Sequence, residues 1–269
     1  MRLRIDLAYD GTAFHGWATQ PGLRTVQGLL EQWIGQVLRL PEQPTLVVAG
    51  RTDSGVHARA QVCHVDLDVE HDPTADLKRR LRRVLPHDIA VRDVTLAPVG
   101  FDARFSATWR RYCYRVVDED GFPDPLLRGH VARLPFRLDL ATLEAAFSTV
   151  MGLRDFAPFC RPRDGATTIR ELRELRAERR PDGVVEIWLQ ADAFCHSMVR
   201  SLVGALTAVG GGRRGLAWLE EVAASQGRHS DVLVMPANGL TLEAVGYPAP
   251  ELLAERARQA RNVRTLEDA

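Results

Sequence analysis

Hydrophobic and polar residues alternate over the first nine positions, as they do in a strand that buries one face. Leu3, Ile5 and Leu7 fall on the same side of this segment, which predicts a β-strand. Apolar residues then recur every three or four positions from Thr25, which suits a helix N-cap, to Pro41, which ends the pattern. The chain therefore begins with a predicted strand and an amphipathic helix.

The same kind of pattern predicts two similar series of elements along the rest of the chain. The first series has the order βαββαβ, and the second repeats it with one added helix. Apolar residues in 167–177 recur every three positions, which favours a helix, but we predict a strand there because the repeated unit requires one. The other predicted strands cover 45–49, 60–67, 89–96, 111–117, 184–191 and 240–245, and the other helices cover 74–85, 140–151, 197–209 and 216–224.

Two consecutive βαββαβ units predict an α+β fold made of two ferredoxin-like, or RRM-like, halves. Each half would place its helices on one face of a mainly antiparallel sheet, with a cleft between the halves. We expect an N-terminal half over 1–105, a C-terminal half over 106–248 and a charged tail over 249–269. The proline-bearing segment 121–137 is predicted to be a long irregular loop.

Composition and charge exclude several classes of protein. Of the 269 residues, 45% are apolar and 26% are charged, which is typical of a globular chain rather than a disordered or fibrous one. Basic and acidic residues balance at 35 each, so net charge gives no argument for nucleic acid or membrane. Lys78 is the only lysine, and the remaining basic residues are arginines, which suit phosphate binding but also arise from genomic codon bias.

Cysteine usage and hydropathy indicate the compartment. The four cysteines are scattered without a CxxC pair, which is typical of a reduced, cytoplasmic protein. The N-terminus has no apolar stretch of the kind that directs export. The longest charge-free apolar run, between Arg200 and Arg213, is shorter than the ~18–20 residues that a membrane span needs. We therefore expect a cytoplasmic protein with no membrane contact.

The polar loop between the second and third predicted strands is the strongest candidate for chemistry. Its sequence, GRTDSGVHA over 50–58, combines two glycines with Arg51, Asp53 and His57. A simple turn does not require these polar groups together. The local chemistry alone gives about equal weight to a structural interpretation, in which the Asp53 carboxylate only caps backbone amides of the turn.

Two later segments add polar groups at apolar positions. Tyr112 and Tyr114 share one face of a predicted strand, an arrangement found more often in a core than in an active site. Arg200 lies among apolar positions of a predicted helix and would need an acidic partner if buried. Asp53 is a candidate for that partner.

Taken together, these segments resemble the TruA family of tRNA pseudouridine synthases. The resemblance runs from about residue 3 to residue 248. It implies isomerisation of uridine to pseudouridine at positions 38 to 40 of the tRNA anticodon arm, by a homodimer that uses no metal and no organic cofactor. The motifs that carry it are GRTDSGVHA, RRYCYRV and FCHSMVRSLVG, supported by YDGT, FHGW, FDARFSAT and NGL.

The resemblance also implies a role for individual residues. Asp53 corresponds to the catalytic aspartate, Tyr112 to the tyrosine that lines the uracil pocket, and Arg200 to the basic partner of the aspartate. Arg51 would lie against the RNA and fill the gap left by a base that is turned out of its stack. A carboxylate at position 53 is able to attack C1′ of the ribose or C6 of the uracil, or to act as a base toward the sugar, and the sequence does not choose among them.

Arginine clusters are the candidate contacts to the RNA backbone. Each cluster, taken singly, is more often a solvated surface than a binding site. The clusters are Arg79 and Arg80 with Arg82 and Arg83, then Arg110 and Arg111, Arg161 and Arg163, and Arg213 and Arg214.

Two other interpretations remain open. A metal-dependent nucleotide hydrolase would need zinc held by Asp53, His57 and the Cys-His pairs at 63–64 and 195–196, but their spacings match no standard zinc framework, so we expect no metal. A non-catalytic RNA-binding protein would use two RRM-like halves, but neither half carries the aromatic RNP1 signature.

Overall fold

The structure is a computed structural model that describes residues 1–163, 165, 167–261 and 265. The chain divides into two compact units. The first comprises Met1–Thr108 and a returning segment that begins at Leu242, and the second comprises Trp109–Thr241.

The predicted helices and strands occur in the predicted order, with some ends displaced. Two short strands, at 132–133 and 152–155, and a helix at 253–259 were not predicted. The strands are β1 Arg2–Tyr9, β2 Leu46–Val48, β3 His57–Asp66, β4 Ile89–Leu96, β5 Trp109–Val117, β6 Ala132–Arg133, β7 Gly152–Asp155, β8 Ile169–Arg179, β9 Val185–Ala191 and β10 Leu240–Gly246. The helices are α1 Val26–Leu38, α2 Thr74–Val84, α3 Leu140–Ala145, α4 Met198–Gly210, α5 Leu216–Ala224 and α6 Leu253–Gln259.

The first unit is built on β1, the strand whose alternation is clearest in the sequence. Leu3, Ile5 and Leu7 are completely buried, which confirms the predicted core face. β1 pairs antiparallel with both β3 and β4, β2 pairs antiparallel with β3, and β10 lies beside β3. The predicted N-cap is also confirmed, because the Thr25 hydroxyl accepts the Gly28 amide at 3.3 Å.

The second unit is a mostly antiparallel arrangement of β5, β9, β8 and β7, in that order, with the short β6 parallel to β5. The strand predicted over 167–177 against its own periodicity is confirmed as β8, which has a neighbour on each side. The helix α4 is buried along most of its length, as its apolar sequence predicts. Both units therefore combine helices with mostly antiparallel strands.

Three predicted segments differ from the structure. The helix predicted over 140–151 ends at Ala145 and is followed by a 3-10 turn, since Gly152, with a φ of +88°, already starts β7. β3 begins at His57 rather than Ala60, which shortens the polar loop. The predicted irregular loop contains a 3-10 turn at Pro125–Leu127 and the strand β6.

The segment expected as a charged tail contains the helix α6. Leu253 and Ala257 of this helix are buried, and Leu253 joins a core cluster that includes Phe101 and Ala103. The Ser106 hydroxyl donates to the Leu253 carbonyl at 3.1 Å. This part of the segment thus packs on the first unit, while residues 262–264 and 266–269 of the expected tail lie outside the described residues. No helix among the described residues is long and apolar enough to cross a membrane.

An ion pair at the end of β5 makes the stability of the second unit sensitive to acid. The buried Asp118 carboxylate accepts hydrogen bonds from both Nη atoms of Arg179, each at 2.8 Å, and from the Leu138 amide at 2.8 Å. Burial by itself raises the pKa of Asp118, but the hydrogen bonds from Arg179 and Leu138 outweigh burial and hold the pKa below its usual value.

We expect Asp118→Asn to lower the free energy of unfolding at neutral pH by about 2 kcal/mol, because the Arg179 charge loses its partner. A depressed pKa stabilises the fold above the unfolded-state pKa of about 4, and that stabilisation is lost as the pH falls through the folded-state value. Urea titrations of both proteins at pH 7 and near pH 3 should therefore show a difference in the free energy of unfolding that closes in acid. A difference of constant size would contradict the assignment.

Candidate active site

The loop that precedes β3 carries Asp53 at its tip, and backbone hydrogen bonds hold it in place. The Trp17 amide donates to the Thr52 carbonyl at 3.0 Å, and the Gly55 amide donates to the Phe14 carbonyl at 3.3 Å. The Val56 amide closes the turn by donating to the Asp53 carbonyl at 3.1 Å. The Asp53 side chain is half-buried, so it lies at a protein surface rather than in the core.

Two glycines allow the facing segment, residues 10–17, to approach this loop closely. A Cβ added at Gly11 would lie 2.1 Å from the Val56 carbonyl oxygen. A Cβ at Gly16 would lie 2.9 Å from the Thr52 carbonyl oxygen, and the φ of Gly16 is +86°. Both positions therefore require glycine for steric reasons.

A buried set of hydrogen bonds lies beneath the loop. The Tyr9 hydroxyl lies 2.8 Å from the Thr52 hydroxyl, and the Gln61 amide nitrogen donates to the Tyr9 hydroxyl at 3.1 Å and to the Gly50 carbonyl at 2.9 Å. Burial raises the pKa of Tyr9 to about 12 in spite of these hydrogen bonds. Tyr9 is consequently a neutral phenol at physiological pH.

His57 connects the end of the same loop to the YDG segment. Its Nδ1 accepts the Gly11 amide at 2.9 Å and lies 3.1 Å from a carboxylate oxygen of Asp10. The structure thus gives His57 a role in holding the backbone together.

Tyr112 and Tyr114 on β5 have different surroundings in the second unit. The buried ring of Tyr112 meets Phe194 edge to face, with centroids 5.1 Å apart. The Tyr114 hydroxyl donates to the Pro236 carbonyl at 2.7 Å, and burial raises the pKa of Tyr114, although Arg200 opposes this effect. Tyr114 is therefore a core residue, as tyrosine pairs often are. The Phe194 contact was not predicted, although its place in the FCHSMVR motif is a signal that could have found it.

Arg200 lies in the first turn of α4 and is half-buried. Its Nε donates to the Met235 carbonyl at 2.6 Å, which fixes the plane of the guanidinium group. Ser197, just before the helix, has a left-handed backbone with a φ of 65°. The side chain of Arg200 is therefore oriented by a specific contact instead of extending into solvent.

The other predicted contacts to RNA are placed very differently from one another. Arg51 is exposed. Arg110 is buried and donates to the Asp192 carbonyl at 2.7 Å, which favours a structural role. Arg111 is half-buried and donates to Gln190 at 3.0 Å. The arginines of the remaining clusters are all exposed, namely Arg79, Arg80, Arg82, Arg83, Arg161, Arg163, Arg213 and Arg214. Arg79 and Arg80 both pair with Asp76, and Arg213 and Arg214 lie over the rings of Phe136 and Trp218.

The residues considered for zinc have other contacts. His64 is buried, and its Nδ1 accepts the Ala103 amide at 3.0 Å. The His196 carbonyl accepts the Arg161 amide at 2.9 Å. Within the part of the chain that the structure describes, no three His, Cys, Asp or Glu side chains lie close enough together to hold a metal ion.

The candidate residues fall into one group in each unit. Arg51 and Asp53 belong to the first unit, where the loop and the glycine-containing segment fix their backbone. Tyr112 and Arg200 belong to the second unit, where Phe194 and the Met235 carbonyl orient them. Each group offers what nucleoside chemistry needs, a carboxylate in one and an aromatic face with a cation in the other.

Comparison with known proteins identifies close relatives. The family described as tRNA pseudouridine synthase matches residues 7–106 and 146–248. A protein named tRNA pseudouridine synthase A from Cutibacterium acnes is 60% identical over 269 residues, covering 99% of this chain and 96% of that protein. Its namesake from Streptomyces avermitilis is 53% identical over 270 residues, covering 99% of this chain and 95% of that protein.

A solved structure gives a much weaker match. It is titled "Crystal Structure of a Cbf5-Nop10-Gar1 Complex" and aligns with a TM-score of 0.35 and 10% identity, covering 77% of this chain and 54% of that chain. A similarity this low informs neither the fold nor the site.

We expect Gly11→Ala to lower the free energy of unfolding by at least about 2 kcal/mol, because the new methyl group would overlap the Val56 carbonyl. Gly50→Ala is the matched control, since a Cβ there meets nothing within 4 Å. Its stability should change by no more than about 0.5 kcal/mol. Urea denaturation of the two variants measures the difference, and equal midpoints would show that the close approach is unimportant.

Proposed function

We propose that this chain, which belongs to the tRNA pseudouridine synthase family and converts tRNA uridine to pseudouridine, acts on uridines 38 to 40 of the anticodon arm. The observation that carries the proposal is the match to proteins named tRNA pseudouridine synthase A over nearly their whole length, together with the buttressed Asp53 loop.

The reaction breaks the N1–C1′ glycosidic bond, turns the uracil and rejoins it to the ribose through C5. We assign the central role to the Asp53 carboxylate. A carboxylate is competent for each of three steps, namely attack at C1′, attack at C6 of the ring and removal of a proton from the sugar. The rigid loop around Asp53 supports this role because the reacting group must stay in one place while the base rotates.

Arg200 is assigned as the cation that pairs with Asp53. A guanidinium within about 4–6 Å of a carboxylate favours the ionised form that the reaction uses. The hydrogen bond from the Arg200 Nε to the Met235 carbonyl supports the assignment, since it orients the guanidinium group.

Tyr112 is assigned to the uracil pocket, with its ring as a flat surface for the flipped base. Its edge-to-face contact with Phe194 supports a rigid aromatic wall rather than a mobile side chain. We assign Arg51, which is exposed two residues before Asp53, to the space that the flipped base leaves in the RNA stem.

The proposal extends to the arrangement of the protein. We propose that each of the two halves has a ferredoxin-like architecture. The antiparallel pairing of β4, β1, β3 and β2 in the first unit supports this architecture. We also propose that the enzyme is a cytoplasmic homodimer that needs no cofactor, and light scattering of the purified protein tests the dimer.

We expect Asp53→Asn to fold normally and to bind tRNA with near wild-type affinity, but to release no tritium from [5-³H]uridine-labelled tRNA. The amide keeps the shape of the side chain and removes its charge, and forming a bond at C5 must expel the hydrogen there. Asp68→Asn, at an exposed aspartate, is the control and should keep the wild-type rate. Turnover by the Asp53 variant would exclude the proposed role, and an inactive wild type would favour a non-catalytic RNA-binding protein.

We expect Arg51→Ala to slow modification of a base-paired target uridine by on the order of ten-fold, and to slow a mismatched target much less. The reason is that extruding a mismatched base costs less unstacking energy, so the protein has less to compensate. Arg59→Ala, an exposed arginine of the same hairpin that pairs with Glu243, is the control. Single-turnover rates on the two RNAs provide the measurement, and an equal loss on both would argue against a role in base flipping.

A further inference from the structure

We propose that Tyr9, Thr52 and Gln61 are positioning residues for Asp53, and that they act through one chain of buried hydrogen bonds. The inference rests on the proposed catalytic role of Asp53 and deepens it. None of the three side chains needs to touch RNA, because Gln61 is fully buried and Tyr9 and Thr52 are 5% and 6% exposed.

The hydrogen-bond chain starts at Gln61, whose side-chain amide orientation is determined by its partners. The side-chain oxygen accepts the Val62 amide at 3.2 Å. The nitrogen lies 2.9 Å from the Gly50 carbonyl oxygen, which is only able to accept, and 3.1 Å from the Tyr9 hydroxyl. Both N–H groups of Gln61 are therefore donors, and the Tyr9 oxygen is an acceptor.

The next hydrogen bond joins Tyr9 to Thr52. Their hydroxyl oxygens lie 2.8 Å apart, and either hydroxyl is able to donate, because the Tyr9 oxygen has two lone pairs and one proton. Tyr9 keeps this proton at neutral pH, as its buried environment requires. The chain thus runs from Gln61 through Tyr9 to Thr52, the residue directly before Asp53.

The chain holds the loop on both sides of Arg51. Gly50 is held through its carbonyl by Gln61, and Thr52 is held through its hydroxyl by Tyr9 and through its carbonyl by the Trp17 amide at 3.0 Å. Asp53 follows Thr52 immediately, so the direction in which its side chain leaves the backbone is set by these contacts. The same contacts leave Arg51 exposed.

Buried polar groups add little net stability even when they are fully paired, so stability alone gives no reason for three of them beneath this loop. A paired polar chain instead specifies one conformation of the loop. Displacing a catalytic group by about 1 Å costs on the order of 100-fold in rate. We therefore infer that the hydrogen-bond chain raises the rate of the chemical step rather than the affinity for RNA.

The test compares variants that keep volume and remove one hydroxyl. Thr52→Val should lower the single-turnover rate at saturating enzyme by on the order of 10- to 100-fold, with the tRNA dissociation constant unchanged within about two-fold. Thr52→Ser restores the hydroxyl and should recover most of the rate. Tyr9→Phe keeps the ring contacts with Phe14 and Trp17 and should resemble Thr52→Val.

Controls in the first unit separate positioning from stability. Thr25→Val removes a buried hydroxyl that caps α1, and Tyr247→Phe removes a hydroxyl that donates to the Ala103 carbonyl at 2.8 Å. Both should lose stability without the loss of rate. The proposal is overturned if Thr52→Val and Tyr9→Phe, shown to be folded by circular dichroism, lose no more rate than these controls, or lose only RNA affinity.

An unfolded Thr52 variant would leave the decision to Tyr9→Phe. The result for Asp53→Asn is read separately. If that variant is active, the proposed function of Asp53 fails, whereas an inactive Asp53 variant beside fully active Thr52 and Tyr9 variants rejects only the positioning chain.

Discussion

The close approach of two loops in the first unit is the constraint on which the candidate site depends. The segment over 10–17 contacts the Asp53 loop so tightly that a single methyl group at Gly11 would overlap a carbonyl oxygen. This approach lets the backbone groups of Trp17 and Phe14 form hydrogen bonds directly with the backbone of the loop. A hairpin tip would otherwise be among the most mobile parts of a fold. Because glycine has no side chain, the two segments pack closely enough to hold the loop that carries the Asp53 carboxylate in place.

The second unit reaches a comparable rigidity with different means. Arg200 is oriented by one carbonyl group on a neighbouring loop, and Tyr112 by the ring of Phe194. Neither contact involves a mobile surface side chain. Both units therefore present chemically simple groups in fixed directions, which is how an enzyme lowers a barrier mainly through positioning.

How much of the site was predictable depended on the residue. Asp53 was predictable as a candidate because a simple turn does not require so many polar groups. The resemblance to a family implied its role. Gln61 carried no signal, because a glutamine in a strand is ordinary in any sequence. Arg110 and Arg111 are adjacent in the chain, but one is buried against a carbonyl group and the other is half-buried. How exposed each arginine of a cluster is depends on its neighbours in the folded structure, and the adjacent residues of the sequence do not reveal them.

The sequence by itself determined the elements whose cause is local. The alternation of β1, the N-cap of α1 and the apolar length of α4 depend on residues within a few positions of one another. The local periodicity of β8 favours a helix, and the strand, which we predicted from the repeated order of elements, forms because its pairing with β7 and β9 outweighs that preference. Only the tertiary structure decided the partners of Tyr9, which lie 43 and 52 residues away at Thr52 and Gln61. Contacts at such separations form only when the whole unit is folded, which is why a local pattern does not encode them.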